Sequence, residues 1–417
     1  MKPICIGDYC FNHHHLWIQY HKYLPQFVEV AVEVFYPRDR QADGLIMFNH
    51  GFLIGTDLFY LPKKIAGSLL NDNPLFGVHP SAYYNYSRAA IDNNWAMAFV
   101  TATHLQASGL PWSDFGGNPR VGQEAFAVAS YLIKYGATDE FYKGDEHYEN
   151  TAFFDRGVIE EARFLRSNNV VFAGHSVGGA HAQVAATGFK AMQDIGKRNM
   201  QLFDPVIYDR ELLPKYSRSL SSWNEQDIAQ PVGLLQLSPV DQKIWPLAPG
   251  MRPYREALAE KPMPELMIIG DCDCACLDSS APPAWSPDSG TASQFSQLAP
   301  EHSDSWSIVA NLSNGSHCGY LTECDEKCQL ADGDCKRCKD QNPWKAGDEE
   351  AEFTNELIRR FLGIYEPGQP FSGDFCQWVQ SDVITWLNTE NPMGAITMKP
   401  FSDNRYIEYA SPSRCSG

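Results

Sequence analysis

The chain has 417 residues, 44% apolar and 20% charged, which excludes a disordered chain, a collagen and a coiled-coil rod. Its 33 basic and 51 acidic residues leave a net charge of −18 with no clustered Lys and Arg, so nucleic acid and anionic membrane are not expected partners. A neutral or apolar substrate suits this charge better than an anionic one, and no run of about 18 apolar residues predicts a transmembrane helix.

In chain order, the first strand signal is Phe27–Tyr36. It alternates apolar and polar positions, which predicts an exposed antiparallel edge strand. Gly44–Phe48 follows, ending in Asn49-His50-Gly51-Phe52, and then Trp95–Thr103. Asn169–Ala173, Val232–Leu237, Glu265–Ile269 and Trp306–Ala310 are continuous apolar runs, as in strands buried on both faces. Helical patterns lie between them at about 120–135, 155–167 and 177–192, with another from Glu349 to Phe361. Strands alternating with helices predict an α/β domain with a mostly parallel central sheet flanked by helices. One domain spanning 1–417 is expected, its core at about 25–365. The polar, irregular stretch 193–230 sits at a place where an α/β enzyme could carry a lid. The Ser-, Pro- and Asp-rich stretch 277–304 reads as a loop over one end of the sheet, 318–345 as a cysteine-rich insertion, and 366–417 as a C-terminal extension packed on the domain.

The 12 cysteines are even in number and uneven in spacing, with polar flanks. Cys5 and Cys10 open the chain, Cys272, Cys274 and Cys276 cluster, five more run from Cys318 to Cys338, and Cys376 and Cys415 stand apart. Disulfides in an oxidising compartment are the plain expectation, and hence a secreted or secretory-pathway protein. The sequons at Asn85, Asn311 and Asn314 agree with it, whereas Met1-Lys-Pro-Ile-Cys has no apolar signal core. Zinc is the competing account for Cys324, Cys328, Cys335 and Cys338, although the six-residue gap is short for a zinc ribbon.

The strongest chemical signal is Gly174-His175-Ser176-Val177-Gly178, a Gly-x-Ser-x-Gly nucleophile elbow between an apolar strand and a small-residue helix. The glycines let a sharp, strained turn present the serine without colliding with neighbouring chain. The oxyanion donors of such a site are the amide after the nucleophile and one from the loop after an earlier strand. Here these are Val177 and Phe52. The base should follow the last strand, which selects His317; His302 and His175 are the other candidates, His175 with a local packing role. His50 reads as a structural loop histidine, and His13-His14-His15 as a solvated loop rather than a metal site. The acid belongs to a turn after a late strand, where Asp273 leads, Asp271 is next and Asp241 is third. Phe52, Trp112 and Trp245 are candidates for an apolar substrate pocket, with ordinary packing as the rival reading. No metal or organic cofactor is required.

With these residues the chain resembles α/β-hydrolase-fold serine esterases. It is most similar to the branch of chlorophyllases, platelet-activating-factor acetylhydrolases and dienelactone-hydrolase-like and polyester-hydrolase-like enzymes. Phe48–Phe52, Gly174–Gly179, Ser238-Pro-Val-Asp241, Gly315-Ser-His317 and Cys335–Cys338 carry the likeness. It implies an α/β-hydrolase fold and a serine esterase working through an acyl-enzyme on a neutral, apolar or aromatic ester. It also implies secretion and disulfides for a polyester-hydrolase-like member, or a plastid for a chlorophyllase-like one. Two positions depart from chlorophyllases, which commonly have Arg where this chain has Val177 and an Asp-Pro-Val acid where it has Ser238. The rivals are a catalytically silent binding protein on this fold, an acyltransferase or C–C hydrolase using the same triad, and a metal-binding cysteine module.

Overall fold

The computed structural model describes residues 4–24, 27–51, 80–102, 119–136, 164–199, 201–209, 218–239, 252–261, 263–270, 273, 306–312, 315–322 and 349–386. Its centre is a 10-stranded sheet. The strands are β1 (Ile4–Ile6), β2 (Tyr9–Gln19), β3 (Phe27–Pro37), β4 (Leu45–Asn49), β5 (Ala96–Ala102), β6 (Asn169–His175), β7 (Val206–Asp209), β8 (Gln230–Leu237), β9 (Pro264–Gly270) and β10 (Trp306–Leu312). They run in the order β1-β2-β3-β5-β4-β6-β8-β9-β10, and β7 pairs with the far end of β2. The pairs from β5 through β10 are parallel, and those of β1, β2, β3 and β7 are antiparallel. An antiparallel flank leading into a parallel run, with β5 and β4 exchanged relative to chain order, is the α/β-hydrolase topology. The expected fold class is the observed one.

The pleat explains why the central strands read as continuous apolar runs. Successive side chains point to opposite faces, and each face has its own core. Leu45, Met47, Val170 and Phe172 enter one core, while Ile46, Phe48, Val171 and Ala173 enter the other. Helices α2 (Arg120–Tyr135), α3 (Val177–Ala186), α4 (Phe189–Arg198) and α5 (Arg252–Ala259) contribute to the first core. Helices α1 (Tyr86–Asp92) and α6 (Glu349–Leu362) cover the second. Fully burying each large apolar side chain contributes about 1.5–3 kcal/mol relative to leaving it exposed.

Several local expectations need correction. β3 is antiparallel as expected but lies inside the sheet, between β2 and β5. The real neighbour at that flank is β2, which the sequence reading missed. His13, His14 and His15 therefore sit in a strand, not in a solvated loop. Burial alternates along it, with Asn12, His14, Leu16 and Ile18 inside, while His13 lies 3.7 Å from Glu33 on β3. Polar residues at two of the inward positions, Asn12 and His14, hid the strand period. The helix expected over 177–192 is two helices, broken at Gly188, whose φ of 85° suits a residue without Cβ. The pattern at 155–167 is not helical at 164–167, where Leu165 bridges to Ala42 instead; 155–163 lie outside the described residues.

Within 193–230, an irregular polar stretch was expected, but α4 ends there and β7 joins the sheet. Phe203, Ile207, Leu220 and Trp223 from this stretch are buried in the first core. From the C-terminal extension, Val379, Val383 and Trp386 are buried, and Trp386 stacks on Phe353 of α6 at 5.2 Å between ring centroids. The rest of that extension beyond 386, the stretch 277–304 and residues 323–345 with Cys324, Cys328, Cys335 and Cys338 lie outside the described residues. Of the cysteines, Cys5 and Cys10 form a disulfide across the β1–β2 hairpin, and Cys318 is buried. No described helix is long and apolar enough to cross a membrane.

Candidate active site

The site forms at the carboxyl ends of the parallel strands, where open α/β sheets place ligands. β6 ends at His175 and α3 begins at Val177, so Ser176 alone makes the turn. Its φ of 56° and ψ of −124° are strained for a residue with a side chain. The neighbours leave no alternative. A Cβ at Gly174 would lie 2.3 Å from the Gly178 backbone, and one at Gly178 would lie 2.2 Å from the Asn49 carbonyl oxygen. The Ser176 amide donates to the Leu237 carbonyl at 2.9 Å, which ties the turn to the end of β8. Val177 opens α3, so its amide is among the first-turn donors that have no partner within the helix.

The loop after β4 lies against this turn. Asn49 Nδ2 donates to the Ala173 carbonyl at 3.3 Å. A Cβ on Gly51 would lie 3.5 Å from Ser176 Cβ, so Gly51 packs against the serine. Phe52 itself, Trp112, Trp245, Asp241, Asp271 and His302 lie outside the described residues. His50 Nδ1 contacts the Gly51 carbonyl at 2.7 Å, a contact local to the loop.

The loops after β9 and β10 meet backbone to backbone. A Cβ on Gly270 would fall 2.2 Å from the Gly315 carbonyl oxygen, so glycine at 270 permits this approach. Asp273 and His317 are thereby brought together, with His317 Nδ1 2.9 Å from Asp273 Oδ2. Both side chains are largely enclosed, at 10% and 2% exposure. With Nδ1–H donated to the carboxylate, Nε2 carries the lone pair that a general base needs. The His317 ring packs on that of His175, the residue before Ser176, at 4.6 Å between centroids.

The sequence reading missed three supports, because nothing in the local pattern distinguishes them. Glu350 of α6 is buried and accepts the Ser316 amide at 3.2 Å, while the Gly319 amide donates to Ser316 Oγ at 3.0 Å. The loop that carries His317 is held on both sides of that residue. Tyr320 lies 3.1 Å from the Ser238 hydroxyl, which donates to it, and its carbonyl accepts the Tyr86 hydroxyl. Burial first and the Glu350 charge next push the Tyr320 hydroxyl far above its usual range, so it stays protonated. Tyr83 bonds to both Gly51 and His175. Burial, followed by the neighbouring His317, holds His175 well below the usual imidazole range, despite an opposing interaction with the His317 backbone. His175 is therefore neutral near pH 7. Among the described residues, no group of three or more His, Cys, Asp and Glu is arranged to hold a metal ion.

No protein-family model matches the chain, and no curated protein matches it. Among solved structures, S-formylglutathione hydrolase from Agrobacterium tumefaciens is 10% identical, with 87% of this chain and 98% of that one covered at a TM-score of 0.39. The esterase Est2 from Thermogutta terrifontis is 11% identical, with 82% and 89% covered at 0.40. Dienelactone hydrolase from Anabaena variabilis is 12% identical, with 88% and 99% covered at 0.35. The fold assignment stands on the strand order and the strained strand-to-helix turn, independently of these distant likenesses.

Proposed function

We propose that this protein is a serine hydrolase that cleaves a carboxylic ester through an acyl-enzyme. Ser176 Oγ attacks the ester carbonyl as His317 takes its proton. The Val177 and Phe52 amides hold the oxyanion, and Asp273 orients the imidazole and stabilises its cation. Collapse of the tetrahedral intermediate breaks the acyl–oxygen bond, and His317 returns the proton to the leaving alcohol. Water, deprotonated by His317, then attacks the acyl-enzyme and releases the carboxylic acid and free Ser176.

The observation that carries this reading is the contact of His317 Nδ1 with Asp273 Oδ2 at 2.9 Å, with the His317 ring packed on His175, whose chain neighbour Ser176 is held at φ 56°. A buried carboxylate–imidazole pair packed on the residue preceding a strained serine has no evident structural purpose, and the strain suits a nucleophile. A net charge of −18 favours a neutral ester, with an apolar or aromatic acyl or alcohol part. The Cys5–Cys10 disulfide supports a secretory, oxidising compartment.

A fluorophosphonate probe should label the wild type and not Ser176→Ala. p-Nitrophenyl esters of rising chain length, an aromatic polyester and a chlorophyll should be assayed alongside. A wild type that is neither labelled nor active on any ester would sink the proposal. Partition of the acyl group to an added alcohol rather than water would make it an acyltransferase.

A further inference from the structure

The mechanism above leaves a fully buried polar pair unused. Tyr83, in the short 3₁₀ turn Pro80–Tyr83, is 0% exposed and 32 residues beyond Gly51. Its oxygen accepts the Gly51 amide at 3.2 Å and lies 2.7 Å from His175 Nδ1. A phenol oxygen has lone pairs and a proton enough for both contacts, so this one hydroxyl serves the Gly51 amide and His175 Nδ1 together. Gly51 fits tightly over this pair. A Cβ there would lie 3.0 Å from both His175 Nδ1 and the Tyr83 oxygen. The same His175 ring packs on His317 and, at 5.3 Å, on Tyr320.

One hydroxyl thus joins the loop that leads to Phe52, the residue before the nucleophile and, through ring packing, the base. We propose that Tyr83 is a positioning residue whose hydroxyl holds the oxyanion loop against the elbow through Gly51 and His175. This rests on the esterase reading. An oxyanion donor works only when fixed beforehand at the place where charge develops. The Gly51 amide is one residue from the assigned donor, so freeing it loosens the donor at its root. Tyr83 touches no reacting atom, and its effect falls on the transition state rather than on ester binding. A neutral His175 also avoids placing a second cation beside the His317 imidazolium that forms during acyl transfer.

Tyr83→Phe removes the oxygen and keeps the ring, with its packing on Phe48 at 5.0 Å and His175 at 5.6 Å. It should lower kcat about 10- to 100-fold with KM within about 2-fold, the split expected of an interaction made in the transition state. Amide exchange at Gly51, followed by mass spectrometry or NMR without substrate, should speed up at least about 10-fold as local opening becomes easier. Tyr365→Phe is the control. It removes a buried hydroxyl that donates to the Val232 carbonyl at 3.0 Å and should change neither readout. Unchanged Gly51 exchange in Tyr83→Phe, or the same loss of kcat in Tyr365→Phe, would overturn the proposal. If the wild type hydrolyses no ester while Tyr83→Phe still accelerates Gly51 exchange, the brace stands and the esterase reading falls.

Discussion

The two flanks of the sheet solve different problems with the same pleat. On the antiparallel side burial alternates along β2 and β3, and Val28, Val30, Val32 and Val34 of β3 all face one core. On the parallel side β4, β6, β8 and β9 bury both faces, and the carboxyl ends of β6, β9 and β10 lead to Ser176, Asp273 and His317. A strand buried on both faces has its backbone position fixed by two cores. Its carboxyl end is therefore a firm support for a strained turn such as Ser176. The antiparallel flank closes the sheet edge and contributes burial. Chemistry should thus fail without loss of stability at one side, and stability should fail without loss of chemistry at the other.

The largest expected effect is on the parallel side. Ser176→Ala should lower kcat by about 10⁴–10⁶, with His317→Ala nearly as severe because the two act as one unit. The melting temperature should stay near that of the wild type. Near-normal turnover in either variant would break the comparison. Next, Asp273→Asn should cost about 10⁴ in kcat, as loss of the orienting carboxylate does elsewhere. Asp241→Asn should leave kcat unchanged, and the opposite result would move the acid to the end of β8.

On the antiparallel side, Ile18→Ala removes a fully buried side chain of β2. It should cost about 2–5 kcal/mol of stability in denaturant unfolding, with kcat per folded molecule unchanged. A smaller effect should appear on acidification. His175 is neutral when folded but titrates near pH 6.5 when unfolded, so the unfolded state binds more protons below that value. Stability should fall as pH drops through about 6.5, and His175→Gln should flatten that fall. The smallest effect concerns Lys261, which burial lowers to about 8 from 10.5. The unfolded chain binds more protons between those values, so the burial penalty is present below pH 8 and fades as pH rises towards 10.5. Lys261→Met should raise the melting temperature by a few degrees at pH 7, about 1 kcal/mol, and by less at pH 9.5. An advantage that is the same at both pH values would reassign it to packing alone.

The sequence by itself determined the parallel centre. Continuous apolar runs can be buried only between two covering layers, and Gly174, Ser176 and Gly178 mark a turn that few other residues can make. It did not disclose β2, where Asn12 and His14 occupy inward positions that a period search expects to be apolar. It read one helix through Gly188, because the break depends on a single left-handed residue. Only the tertiary structure brought Asp273 and His317 together and revealed the support from Glu350 and Tyr83. Those pairings arise from loop backbones meeting at Gly270 and Gly315 and at Gly51. Such contacts depend on close approach in space between chain segments far apart in sequence, and no local periodicity encodes it.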